Sequence, residues 1–203
     1  MSRKIFLLSP ASTTGRRAQL LFNEQAQFAL AVALRNGHGA TLGEVFAFLS
    51  GLYFRGKLAY ARAFARPLRA LTPILVITPD RGLMAPETRI TLEDLRSFAG
   101  SPIDANNSQY RDALLRDARA LAETAGRQVD VVLLGSVASG KYVDILLSIF
   151  GERLLFPAEF VGRGDMSRGG LMLRCVDNVT ELTYVPVQGA IRHGKRPPRL
   201  DPR

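Results

Sequence analysis

Short continuous apolar runs alternate with longer stretches of helical periodicity along this chain, and that alternation is the first clue to its architecture. Ile5-Phe6-Leu7-Leu8, Ile74-Leu75-Val76-Ile77 and Asp130-Val131-Val132-Leu133-Leu134 are unbroken rather than alternating, as in strands that a parallel sheet covers on both faces. Leu154 to Val161 predicts a fourth strand, interrupted at Pro157, because proline has no N–H to give a ladder. Between the runs, Arg17 to Arg35 carries Leu20, Leu21, Ala26, Phe28, Leu30, Val32 and Leu34. That is denser than one stripe and predicts a largely buried helix, closed by Asn36-Gly37-His38-Gly39. Thr41 with Glu44 has capping-box spacing and opens a helix through Val45, Phe46, Phe48 and Leu49. Lys57 to about Arg66 predicts another helix before Pro67, and Thr91 with Asp94 repeats the cap before Leu92 to Phe98. Leu114, Leu115, Ala118 and Leu121 fall at helical spacing within Tyr110 to Thr124, and Tyr142 to Phe150 gives one more helix. Leu171 to Val176 and Glu181 to Val187 complete the apolar segments.

This order predicts an α/β fold: one compact domain over residues 1–191, with a central mostly parallel or mixed sheet flanked by helices. A length of 203 residues fits one well-filled core. Hydrophobic residues at 47% and charged residues at 22% exclude a chain disordered throughout and a collagen-like or coiled-coil design. Residues 192–203 form a basic, proline-rich tail that cannot order itself by burial, either a solvated end or an electrostatic arm.

Charge narrows the partners. Lys plus Arg number 27 against 18 Asp plus Glu, a net +9 that favours a polyanion such as nucleic acid. The single cysteine, Cys175, with His38 and His193 as the only histidines, gives no zinc spacing, so neither metal nor cofactor is expected. Ile5 to Leu8 is too short for a signal-peptide core or a membrane span, which points to the cytoplasm and no membrane partner.

If the four strands are parallel, their carboxyl-end loops are Ser9 to Arg17, Thr78 to Arg81, Ser136 to Lys141 and Glu159 to Arg168. Ligands of open α/β sheets bind at that edge, and all four loops are rich in hydroxyls, charge and glycine, although loops are polar for other reasons too. Arg16 and Arg17 follow a hydroxyl-rich loop at a helix start, either gripping phosphate or simply solvated. No Walker pattern is present, which disfavours triphosphate hydrolysis. Gly51-Leu52-Tyr53-Phe54-Arg55-Gly56-Lys57 places aromatics beside cations between helical stretches, suited to stacking a base and holding backbone, or else to a core. Asp80 follows a buried strand and a proline, where a carboxylate can be held rigidly; Asp104, Glu159 and Asp165 are the other edge carboxylates, and any of the four could equally be a cap or an ion-pair partner. The stretch Gly162-Arg163-Gly164-Asp165, with Arg168, Gly169 and Gly170, permits close approach of an anionic ligand.

Several segments taken in order resemble the YaaA family of bacterial peroxide-stress proteins. Leu8-Ser9-Pro10-Ala11-Ser12-Thr13 is similar to that family's Ser-Pro-Ala-Lys-Thr, and Gly51-Leu52-Tyr53 to its Gly-x-x-Tyr. Gly82-Leu83-Met84-x-Pro86 resembles its Gly-Leu-Leu-x-Pro, Ala138-Ser139-Gly140-Lys141-Tyr142 its Ala-Ser-Asn-Glu-Tyr, and Gly170-Leu171-Met172-Leu173-Arg174 its Gly-Leu-Met-Ala-Arg. The resemblance implies a compact α/β fold, a positively charged cleft that binds DNA, and a likeness to DNA glycosylases. Ser9, Thr13, Tyr53, Ser139, Tyr142 and Arg174 match; Ser12, Gly140-Lys141 and Gly169 replace the family's lysine, Asn-Glu and arginine, which suggests another substrate.

The leading expectation is a DNA glycosylase that flips a damaged or modified base, including the sugar-decorated bases of phage DNA, and hydrolyses its N-glycosidic bond. Asp80 is the first candidate for the water-positioning carboxylate and Asp165 the second. Ser136, Ser139 and Tyr142, with Ser9 and Thr13, are candidates to hold the base. Arg16, Arg17, Arg55, Lys57 and the tail are candidates for DNA phosphates, Tyr53 for stacking, and Arg163 and Arg168 for flanking phosphates. A noncatalytic DNA-binding stress protein and a nucleoside or nucleotide hydrolase are the alternatives.

Overall fold

A computed structural model describes residues 3–66, 71–138, 140–198 and 200. The chain enters through β1 (Arg3–Leu8), whose Ile5, Phe6, Leu7 and Leu8 are fully buried. Two short helices, α1 (Arg16–Phe22) and α2 (Ala29–Arg35), follow, then β2 (Ala40–Thr41) and the consecutive helices α3 (Leu42–Ser50) and α4 (Leu52–Phe64). Next come β3 (Ile74–Ile77), β4 (Leu83–Met84), β5 (Arg89–Ile90), α5 (Leu92–Gly100), α6 (Ser108–Ala125), β6 (Val129–Leu134) and α7 (Gly140–Phe150). The chain closes with β7 (Leu154–Pro157), α8 (Asp165–Asp177) and β8 (Tyr184–Pro186).

Six strands make one mixed sheet in the order β4-β3-β1-β6-β7-β8, and β2 pairs with β5 in a separate two-stranded ribbon. β3, β1, β6 and β7 run parallel; β4 and β8 lie antiparallel at the two edges. Because side chains alternate across a strand, Phe6 and Leu8 face a core built with α3, α4, α5 and α8, and Ile5 and Leu7 face a second core built with α6 and α7. The fold is thus one α/β domain with helices on both faces. Among the described residues no helix is long and apolar enough to cross a membrane.

Both capping boxes are present, Thr41 with Glu44 and Thr91 with Asp94, each side chain bonded to the other's backbone N–H. Four expectations need correction. Arg17 to Arg35 is two helices, because Asn23 Oδ1 accepts from the Gln25 N–H and Arg35 donates to the Asn23 and Ala26 carbonyls, which fixes a turn between them. The segment Gly51 to Lys57 is helix rather than connection: only Gly51, at φ +60°, stands outside, as the corner between α3 and α4. Of the glycine-rich stretch near Arg168, Asp165 to Gly170 is likewise helix, the first half of α8, with Gly162 to Gly164 leading into it, and the fourth strand ends at Pro157 in a 3-10 turn, Ala158–Phe160.

The glycines of α8 serve a crossing. A Cβ at Gly169 would lie 2.7 Å from the Leu52 carbonyl oxygen, and one at Gly56 would lie 2.6 Å from the Gly169 carbonyl oxygen. Both obstacles are backbone, so a side chain at either position forces α4 and α8 apart. Gly169→Ala is therefore expected to lower the unfolding free energy by about 1–3 kcal/mol, measured by urea denaturation; an unchanged midpoint would show that the helices have slack.

Candidate functional site

The connection leaving β1 runs over one face of the sheet and α7, which leaves β6, packs on the other. The carboxyl ends of β1 and β6 lie side by side, paired through Leu8 and Leu134, while their connections part to opposite faces, and such a switch leaves a crevice. A cleft of about 810 Å³ opens there, lined by the loop Ser9 to Thr14, by Ser50 and Tyr53, by Ser101 to Asp104, by Ser136, and by Lys141, Tyr142 and Asp165. That volume lies in the range that encloses a nucleoside-sized ligand.

The floor is polar and tightly organised. Lys57, on α4, is fully buried and its Nζ donates to the Ser9 carbonyl at 2.5 Å and contacts Ser9 Oγ at 2.8 Å. It also lies 4.4 Å from the Tyr53 ring centre and 4.9 Å from that of Phe54. Burial pushes the Lys57 amine down to about 7; the Asp165 carboxylate pulls the other way and the Arg168 guanidinium adds to the fall. The Tyr142 hydroxyl meets the Ser9 side chain and the Ser136 backbone, and burial outweighs both contacts to raise its pKa. Lys57, Ser9 and Tyr142 so form a continuous row from the core to the cleft wall.

One wall is the start of α8. Asp165 is its first residue and is 65% exposed at the side chain, with Oδ1 3.5 Å from Arg168 Nη1. Arg168 itself is buried: Nε and Nη2 donate to the Phe160 carbonyl at 3.2 and 3.1 Å, and the guanidinium packs on the Phe160 ring. The Tyr53 hydroxyl is buried without a well-formed hydrogen bond, and burial drives its pKa upward although Arg168 opposes the rise.

The cleft gathers Ser9, Thr13, Tyr53, Ser136, Tyr142 and Asp165 of the sequence candidates, and Asp104 of the other edge carboxylates, whose Oδ1 accepts from the Asn106 N–H. Ser139 lies outside the described residues. The Thr13 hydroxyl is partly committed, donating to the Phe98 carbonyl at 3.2 Å to pin the loop onto α5.

Other candidates sit elsewhere. Asp80 does not line the cleft: its side chain is 3% exposed, accepts from the Ser97 hydroxyl on α5, and lies 3.9 Å from Arg81 Nε. Lys57 and Arg168 cannot reach DNA phosphates because both are buried. Arg17 is exposed but donates to the Phe48 carbonyl at 2.9 Å, steadying the corner at Gly51, while Arg16 and Arg55 are exposed. Arg163 donates to the Glu159 carbonyl and Ser167 hydroxyl and lines a different hollow, between α8 and the tail, with Arg174 and Arg196. The tail leans on the domain through Arg192 with Asp144 at 3.6 Å and through the Lys195 carbonyl over Gly162. Glu159 is outside the cleft lining; its Oε1 accepts from the Thr183 N–H at 3.1 Å and its Oε2 is buried without a hydrogen-bond partner among the described residues.

Ser12, Thr14 and Lys141 lie in the two loops that the sequence placed at the sheet edge, but spacing missed Ser50 and the segment Ser101 to Ile103 as cleft residues, and missed the role of Lys57 as its floor. The helical repeat of buried positions at Tyr53, Phe54, Lys57, Leu58 and Ala61 was the available signal. Among the described residues no group of His, Cys, Asp and Glu is placed to hold a metal ion. Comparisons with protein-family models, with curated proteins and with solved structures find no match to this chain.

Proposed function

We propose that this protein is a DNA glycosylase, which draws a damaged or modified base into the cleft and hydrolyses its N-glycosidic bond, as the resemblance to the YaaA family also suggests. The observation that carries the reading is the exposed Asp165 carboxylate, held beside Arg168 in a hydroxyl-lined cleft of nucleoside size. Asp165 takes the part that sequence spacing gave first to Asp80: it orients water toward the anomeric carbon as the sugar gains oxocarbenium character. The Ser136 and Tyr142 hydroxyls address the polar edge of the base, and the Tyr53 ring forms a wall against its face. The net charge of +9 supports a polyanionic partner. A cleft of nucleoside size suits hydrolysis of this bond, which needs no second substrate other than water.

The test uses duplexes with a single uracil, hypoxanthine, methylated purine or glucosylated hydroxymethylcytosine, an unmodified duplex, and the free nucleosides. After incubation, alkali breaks the strand wherever a base has been lost. Base release from a modified duplex and none from nucleosides is the expected result. Binding to every duplex without breakage would instead favour a noncatalytic DNA-binding protein, and release from free nucleosides unaffected by salt would favour a nucleoside hydrolase.

Arg16 and Lys141, both exposed, flank the loops that line the cleft. Replacing both with alanine is expected to reduce the slope of log affinity against log salt by about 2, read by fluorescence anisotropy on the unmodified duplex. An unaltered slope would place them off the DNA path.

A further inference from the structure

We propose that Lys57, Ser9 and Tyr142 form a proton relay which delivers a proton from the protein interior to the base as it leaves; the inference rests on the glycosylase reading. Lys57 touches no open space, so it acts only through Ser9 and is a positioning residue for the proton rather than a catalytic one.

The geometry argues against a purely structural lysine. A buried ammonium is costly unless paired, and among the described residues no carboxylate lies within 4.0 Å of Nζ. Its polar contacts are both to Ser9, one carbonyl and one hydroxyl, and that hydroxyl stands at the carboxyl end of β1 where the cleft begins. Capping a strand carbonyl needs no titratable group. Ser9 Oγ and the Tyr142 hydroxyl stand together beside Gly135, each 3.0 Å from where a Cβ there would lie, and Tyr142 lines the cleft with Ser136. The groups that face Lys57 are Ser9 from the loop after β1, Tyr53 and Phe54 from its own helix, and Asp165 and Arg168 from α8, with Tyr142 of α7 beyond Ser9. Their balance with burial leaves the amine near 7, the condition in which a group both holds and releases a proton at neutral pH.

The step balances as follows. The bond from the anomeric carbon to the base nitrogen breaks, and its electron pair stays with the base. The base takes the Tyr142 hydroxyl proton, Tyr142 takes that of Ser9, and Ser9 takes one from the Lys57 ammonium, leaving a neutral amine. Water adds to the anomeric carbon and gives its proton to Asp165, from which solvent carries it away; a proton from solvent then restores Lys57. The net change is water consumed, free base and abasic sugar produced.

The experiment follows single-turnover base release from the most reactive duplex of the panel between about pH 6 and pH 9. The wild-type rate is expected to fall about tenfold per pH unit above neutrality as Lys57 loses its proton. Lys57→Met and Ser9→Ala should each lose about 100-fold near neutrality and lose the alkaline fall, while duplex affinity stays close to wild type. Ser9→Ala keeps the lysine and decides the matter should Lys57→Met fail to fold. In parallel, NMR of lysines labelled with ¹⁵N at Nζ should give Lys57 a midpoint near 7 without any reference to turnover. A midpoint in the ordinary lysine range, or an alkaline fall kept in both variants, would overturn the relay while the glycosylase stands. No base release from any probe would overturn the glycosylase and the relay together.

Discussion

Replacing Lys57 with methionine is expected to remove most of the rise in stability that the wild-type protein shows between pH 7 and pH 10. Burial holds the amine at about 7 in the folded chain against a reference of 10.5. Across that window the unfolded chain binds the extra proton and the folded chain does not, so unfolding free energy climbs with pH. Below 7 the charge sits in the core and the full penalty applies; above about 10 the lysine is neutral in both states and the penalty is gone. The gap corresponds to roughly 3–5 kcal/mol across the window. Methionine carries no charge but surrenders the contacts to the Ser9 carbonyl and hydroxyl, leaving a buried acceptor at a cost of about 1–3 kcal/mol. The variant should therefore match or exceed wild type near pH 6 and fall below it near pH 10. Urea denaturation at a series of pH values measures this, and the buried tyrosines, common to both proteins, cancel in the difference. Parallel curves would mean that Lys57 keeps an ordinary proton affinity.

The elements visible in sequence are those decided locally. Ile74 to Ile77 is apolar without a break, and the Thr41–Glu44 and Thr91–Asp94 caps each close within three residues, so no distant partner was needed to read them. What failed depends on contacts far along the chain. Lys57 looks like a surface cation until Ser9, 48 residues away, is seen beneath it. Gly169 and Gly170 look like loop until Gly56 is seen pressing on the first of them, where absence of a Cβ is what lets two helices meet. Asp80 was placed correctly on the sheet edge, beyond β3, yet its carboxylate turns toward Ser97 on α5 rather than into the cleft, and spacing carries no information on that direction. The convergence of the β1 and β6 loops, by contrast, was legible, because parallel strands with polar carboxyl ends leave few alternatives.

Asp165→Asn is expected to have the largest effect on turnover. The amide keeps the size of the carboxylate and can still face Arg168, but it neither accepts a proton from water nor offsets positive charge on the sugar. A loss of about 10²–10⁴-fold in base release follows. Because the side chain is exposed at the start of α8 and makes one contact at 3.5 Å, folding and duplex affinity should change little. Asp80→Asn makes the decisive contrast, since that carboxylate is almost fully covered and outside the cleft. The most direct measurement is thus the single-turnover rate of base release by wild type, Asp165→Asn and Asp80→Asn on one modified duplex. Near-abolition in the first variant with a rate close to wild type in the second is the expected outcome; loss at Asp80 with Asp165 dispensable would contradict a reaction centred in this cleft.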